Sequence, residues 1–142
     1  MTGNPALAGW QQFGVHATAD IRCLINRLLD ELRPLGYPEK ELFGIRLAIE
    51  EGLVNAIKHG NGEDPAKTVH VRYHASVQQV MIEIQDEGRG FDPDSVPDPL
   101  APGNLERPGG RGVFLMRHYM SWVQYNEVGN CVVLCKVRAH VP

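Results

Sequence analysis

The chain has no apolar run approaching the ~20 residues that cross a bilayer. Its first residues, Met1 to Ala8, have neither a basic start nor an apolar core, so no signal peptide is expected there. It also lacks a strong charge of either sign. A net charge of −3 over 142 residues gives no reason to expect nucleic acid or an anionic membrane as a partner. Cysteine is scarce: Cys23, Cys131 and Cys135 form an odd set without a Cys-x-x-Cys pair. Cys131 and Cys135 fall on one face of an apparent strand, too far apart along it for easy bridging. Buried, reduced thiols in a cytosolic protein are therefore expected. His70 and His74 also share a strand face, but no Cys, Asp or further His stands at ligand spacing. Exposed strand histidines, not a metal site, follow.

What is present is ordinary in bulk: 43% hydrophobic and 22% charged residues, the balance of a globular protein. A chain of this length buries roughly 68–70% of its unfolded surface and needs no staple. A single domain over residues 1–142 is expected. Residues 10–17 alternate weakly, as an edge strand does. Thr18 or Asp20 can cap a helix whose stripe is Ile21, Leu24, Ile25, Leu28 and Leu32; Pro34 and Gly36 stop it. Pro38 suits the first position of a second helix, with Glu39 and Glu41 in its positive first turn and Gly60 and Gly62 at its end. Residues 68–75 and Val80, Ile82 and Ile84 alternate as an antiparallel hairpin. Five prolines between Phe91 and Gly110 exclude regular structure, and so long a loop is expected to be a lid or binding loop. A short helix over 112–119 and two strands, 122–127 and 131–137, complete the chain. The order β-α-α-β-β-lid-α-β-β predicts an α+β two-layer sandwich: a mixed, mainly antiparallel sheet with helices on one face.

Three stretches carry chemistry. On the second helix, Leu42, Ile45, Ile49, Leu53 and Ala56 form the core stripe. Glu51, Asn55 and Lys58 fall together opposite, framed by Leu47 and Val54. A solvated face explains such a stripe; a pocket wall explains the apolar frame as well. Next, Asp86 keeps the inward parity of Val80, Ile82 and Ile84. An acid there is costly without a partner, which a ligand amino group can supply. Gly88 and Gly90 permit close approach or positive φ, although a plain acidic turn has the same pattern. Third, Gly109, Gly110 and Gly112 surround Arg111 at a helix start. Free backbone N–H groups there bind phosphate oxygens, and a flexible cap is the plainer alternative. No Gly-Lys-Ser/Thr follows, so this is not a Walker loop.

In order, Glu-x-x-x-Asn-Ala-x-x-His, Asp-x-Gly-x-Gly-Phe and Gly-Gly-Arg-Gly-x-Phe-Leu-Met resemble the Bergerat-fold ATPases: gyrase, Hsp90, histidine kinases and MutL. The chain looks most like the stand-alone anti-sigma factor serine kinases of bacterial partner switching, over about residues 18–137. That resemblance implies ATP with Mg²⁺ as cofactors. Asn55 would hold the metal and Asp86 the adenine amino group. Gly88 and Gly90 would line the base pocket, Gly110 and Gly112 would touch phosphates, and residues 93–110 would form the lid. Lys58, His59 and Arg111 would complete the nucleotide contacts. Glu51 sets the subfamily, because histidine kinases usually carry asparagine there. A glutamate one turn before the metal ligand resembles the serine kinases and the hydrolysing ATPases, and implies a base for a hydroxyl or a water. The adjacent Glu50 lies ~100° around the helix and is read as an outer residue.

The chain shows no transducer, middle or sensor domain and no hairpin with an acceptor histidine, so the resemblance implies action on a separate protein. The leading expectation is a cytoplasmic serine/threonine kinase that phosphorylates an anti-anti-sigma (STAS-type) antagonist and sequesters a sigma factor. Homodimerisation is expected from the family alone. A nucleotide-dependent binding switch with little chemistry, or a detached histidine-kinase catalytic domain, are the alternatives.

Overall fold

A computed structural model describes residues 9–90 and 110–139; the side chain of Arg111 is outside that description. The expected lid therefore lies outside the described residues, apart from Gly110, which already belongs to a helix. The elements are β1 (Gln11–Val15), α1 (Thr18–Leu32), α2 (Glu39–Asn55), β2 (Val69–Ala75), β3 (Gln79–Gln85), α3 (Gly110–Tyr119), β4 (Trp122–Tyr125) and β5 (Cys131–Val137). The strands form one sheet in the order β1-β2-β3-β5-β4. All four pairings are antiparallel. As expected, β1 is an edge strand.

Period-two burial decides which face meets the helices. Val69, Val71 and Tyr73 of β2, Val80, Ile82 and Ile84 of β3, and Val132 and Leu134 of β5 are all buried. The α1 stripe and the α2 stripe are buried with them in one cluster. Helix α2 is central, packing against α1, α3, β3 and β5. The alternate residues of the sheet point the other way, where both Arg72 Nε (2.7 Å) and Nη2 (2.6 Å) meet Glu83 Oε2.

Several local expectations need correction. The residue before α1 is Ala17, and Asp20 sits three residues inside the helix. Asp20 Oδ2 accepts from the N–H groups of His16 (3.0 Å) and Ala17 (3.1 Å). Those two bonds hold its carboxyl below the ordinary value. Pro38 likewise precedes α2 instead of opening it. The thiols are free, but only Cys135 is buried; Cys131 is half-buried and Cys23 exposed. Cys23 lies two positions after Ile21, about 200° around α1 from the core stripe, which turns it to solvent.

The end of α2 was not legible in the sequence. Ala56–Gly60 form a π-helical turn, closed by the Asn61 N–H on the Ala56 carbonyl at 2.8 Å. Single π turns of this kind interrupt helices where side chains must be re-aimed. Arg138 is a second unread feature. It is buried, and its guanidinium donates to the carbonyls of Leu35 (2.8 Å), Gly36 (2.7 Å) and Val77 (3.4 Å). It thereby ties the α1–α2 turn to the β2–β3 hairpin.

Leu53 is fully buried where α2 meets the sheet. Leu53→Ala is expected to destabilise the domain by about 2–5 kcal/mol, read from the urea midpoint with the slope unchanged. A loss under about 0.5 kcal/mol, the range of surface substitutions, would contradict this packing.

Candidate functional site

The end of α2, the loop after β3 and the β4–β5 turn enclose a cavity of about 690 Å³. That is within the roughly 300–1,000 Å³ of small-molecule sites. Asn55, His59, Gly60, Asn61, Asp86, Gly88, Gly90, Tyr125 and Asn130 are among its lining residues, together with the apolar Ala56, Ile84 and Val132.

Two of the three sequence motifs meet through glycine. A Cβ at Gly60 would collide with the Asp86 carboxylate, and one at Gly88 with the Gly60 carbonyl. The π turn and the Asp86 loop therefore touch at a distance only glycines allow. The third motif reaches the first in the same way: a Cβ at Gly112 would run into the Asn55 carboxamide. Helix α3 thus begins against the residue expected to hold the metal.

Asp86 is half-buried, and burial raises its carboxyl above the ordinary value, opposed by a bond from the Gly88 N–H to Oδ1 at 2.7 Å. Among the described residues no cation pairs with it. Tyr125, also on the cavity wall, has its phenol pushed above the usual range, first by burial, with Arg117 opposing and Asp86 adding to it. Burial, helped by the Glu83 carboxylate, lifts the Cys131 thiol to about 11. Such a wall strengthens any hydrogen bond a ligand makes to Asp86.

The other expected site residues divide. Asn55 lines the cavity, and its Nδ2 is buried with no partner among the described residues. His59 lines the cavity too, while Lys58 is exposed and away from it. A π turn takes roughly one more residue than an α turn, so Lys58 lags behind the Asn55 stripe and His59 takes its side. Glu51 is half-buried one turn before Asn55 and does not itself line the cavity; Glu50 is exposed. Gly110 opens α3, and the Arg111 side chain lies outside the described residues.

Three asparagines were not singled out. Asn61, buried, accepts the Glu87 N–H on Oδ1 at 2.7 Å. Asn126 and Asn130 organise the β4–β5 turn. Their only sequence signal is Asn126-x-x-Gly129, the pattern of a type I turn.

A half-buried acid and a carboxamide thus line one ligand-sized cavity. A profile of the histidine kinase-like ATPase domain matches residues 16–136. The chain belongs to that family. Among curated relatives, this ATPase domain is 29% identical over 87 residues to serine/threonine-protein kinase BtrW of Bordetella bronchiseptica. That match covers 60% of the chain and 61% of BtrW, under two thirds of the relative's length. It is 28% identical over 109 residues to serine-protein kinase RsbW of Bacillus subtilis, covering 72% and 68%. Anti-sigma F factor of Anoxybacillus flavithermus is 32% identical over 102 residues, covering 68% and 69%. No described helix is long and apolar enough to cross a membrane.

The family's use of ATP fits the cavity. For the metal, no group of three or more His, Cys, Asp or Glu side chains converges among the described residues. Asn55, on the cavity wall, carries a carboxamide oxygen, the ligand type Mg²⁺ takes, and fits an ion that arrives with phosphates, since Mg²⁺ commonly takes few protein ligands beside them.

The raised Asp86 carboxyl sets a pH signature. The folded state binds more protons than the unfolded one between the ordinary value of 3.8 and the raised one. That contribution to stability is present below 3.8 and lost as pH rises through the folded value. Asp86→Asn keeps an oxygen for Gly88 and has no charge to bury. The nucleotide-free variant should melt higher than wild type at pH 7, with the advantage shrinking toward low pH. Equal melting at both ends would show that the acid is not strained.

Proposed function

We propose that this ATPase domain is an Mg²⁺–ATP-dependent serine/threonine kinase of the anti-sigma factor type. Its substrate would be an anti-anti-sigma antagonist of the STAS type, and it would sequester a sigma factor. The observation that carries the reading is Asp86: a half-buried carboxylate with no cation among the described residues, at the wall of a cavity that also holds Asn55 against the start of α3. Kinase and anti-sigma names among the relatives support the same reading. A cytoplasmic location goes with it.

In this reading Asp86 accepts a hydrogen bond from the exocyclic amine of adenine, with Gly88 and Gly90 beside the base. His59 lies on the same wall, and Gly110, Arg111 and Gly112 approach the phosphates. Asn55 would hold Mg²⁺, which when bound neutralises charge on the β- and γ-phosphates. Glu51 takes the proton from the acceptor hydroxyl as its oxygen bonds to the γ-phosphorus and the bond to ADP breaks.

That Glu51 does not line the cavity favours the second reading, a nucleotide-dependent binding switch with little transfer. One variant separates the two. Glu51→Ala is expected to lower transfer from labelled ATP to the acceptor captured from the native cell by about 10²–10⁴-fold. ATP affinity by calorimetry should stay near wild type. Undiminished transfer would remove Glu51 as base, and no transfer by either protein would leave the switch. Asn55→Ala should lose the Mg²⁺-dependent part of ATP binding; identical titrations with and without Mg²⁺ in wild type would contradict the metal assignment.

A further inference from the structure

We infer that Asn126, a residue outside the cavity, is a positioning residue for base recognition, acting through Asn130 on the loop that carries Asp86. The inference rests on the nucleotide reading of the cavity and adds to it the device that aims the acid.

Asn126 is exposed, at the end of β4. Its Oδ1 accepts three backbone N–H groups, those of Gly129 (2.8 Å), Asn130 (3.0 Å) and Cys131 (3.2 Å). Its N–H donates to the Cys131 carbonyl at 3.0 Å, and its carbonyl accepts from Gly129 at 3.2 Å. The turn is folded around this one side chain. Its remaining polar atom, Nδ2, donates to Asn130 Oδ1 at 2.8 Å.

That last bond has a consequence across the cavity. With Oδ1 of Asn130 held by a donor, the orientation of its carboxamide is fixed and Nδ2 is delivered to the Gly88 carbonyl, 3.3 Å away. The Asn130 carbonyl accepts the Asp86 N–H at 2.9 Å, extending the β3–β5 ladder by one step. From the opposite side Asn61 Oδ1 takes the Glu87 N–H. The Gly88 N–H closes on Asp86 Oδ1. Three consecutive residues of the loop are thus held, and the carboxylate has one oxygen tethered. Asn126 touches none of them, yet the Asn130 clasp depends on its donor.

Asn126→Asp isolates that donor. The carboxylate still accepts the three N–H groups, so the turn survives. It offers Asn130 only an acceptor, which turns the Asn130 amide over and withdraws Nδ2 from Gly88. Loss of one such hydrogen bond corresponds to about fivefold in affinity. The ATP Kd of Asn126→Asp should therefore rise by about fivefold, and the preference for ATP over GTP should fall by a similar factor. Amide hydrogen exchange at Asp86 should quicken while the melting midpoint stays near wild type.

Asn130→Ala supplies the second arm, and remains informative if the first variant fails to fold. If Asn126 acts through Asn130, adding Asn126→Asp to Asn130→Ala should cost nothing further. Fully additive losses, or a folded Asn126→Asp with wild-type affinity and base preference, would overturn the inference. Asn130→Ala with wild-type base preference would do the same. A wild-type chain binding neither ATP nor GTP removes the nucleotide reading itself and the inference with it. A wild type that prefers ATP, matched by both variants, removes the inference alone.

Discussion

An acid held half out of water, with no counter-charge among the described residues, is the constraint around which the site is organised. Burying a carboxylate without a cation is costly unless hydrogen bonds compensate. Asp86 has only the Gly88 N–H among the described residues. Everything near it serves close approach: Gly60 and Gly88 have no side chain to give, and Gly90 packs against the Val128 carbonyl. A stability optimum would place a neutral or paired residue there. An acid there accords with the proposed role, in which a ligand's donor meets it.

The fold supplies the frame at modest complexity. One antiparallel sheet gives a rigid floor, and α2 crosses it with a buried face of Leu42, Ile45, Ile49 and Leu53. That packing fixes the azimuth of Asn55 one turn beyond Glu51. The π turn then re-aims the chain, so that His59 and Gly60 reach the cavity where a regular helix would have kept Lys58 on the stripe. Helix α3 closes the arrangement by starting with Gly112 against Asn55.

Much of this was legible in the sequence because two periodicities were clean. The stripes of α1 and α2 and the alternation of β2 and β3 follow from spacing alone and have their expected burial, while Asp86, of the same parity as the buried β3 residues, is half-buried. The features that escaped are those that depend on one unusual hydrogen bond. The π turn differs from an α turn only in which carbonyl Asn61 reaches, and Arg138 reads as a surface residue until its three carbonyls are brought together. Asn126 and Asn130 are common turn residues whose long-range partner, Gly88, is 42 positions from Asn130. Cys23 shows the opposite failure: residue type argued for burial, and helix azimuth overruled it.

Amide resonance mapping during titration with ATP in Mg²⁺ buffer tests the central claim most directly. The account predicts shifts gathered on Asn55, His59, Gly60, Asp86, Gly88, Asn130 and Gly112, with the outward face of the sheet around Arg72 and Glu83 unmoved. No shifts at saturating ATP, or shifts centred on that outward face, would contradict it.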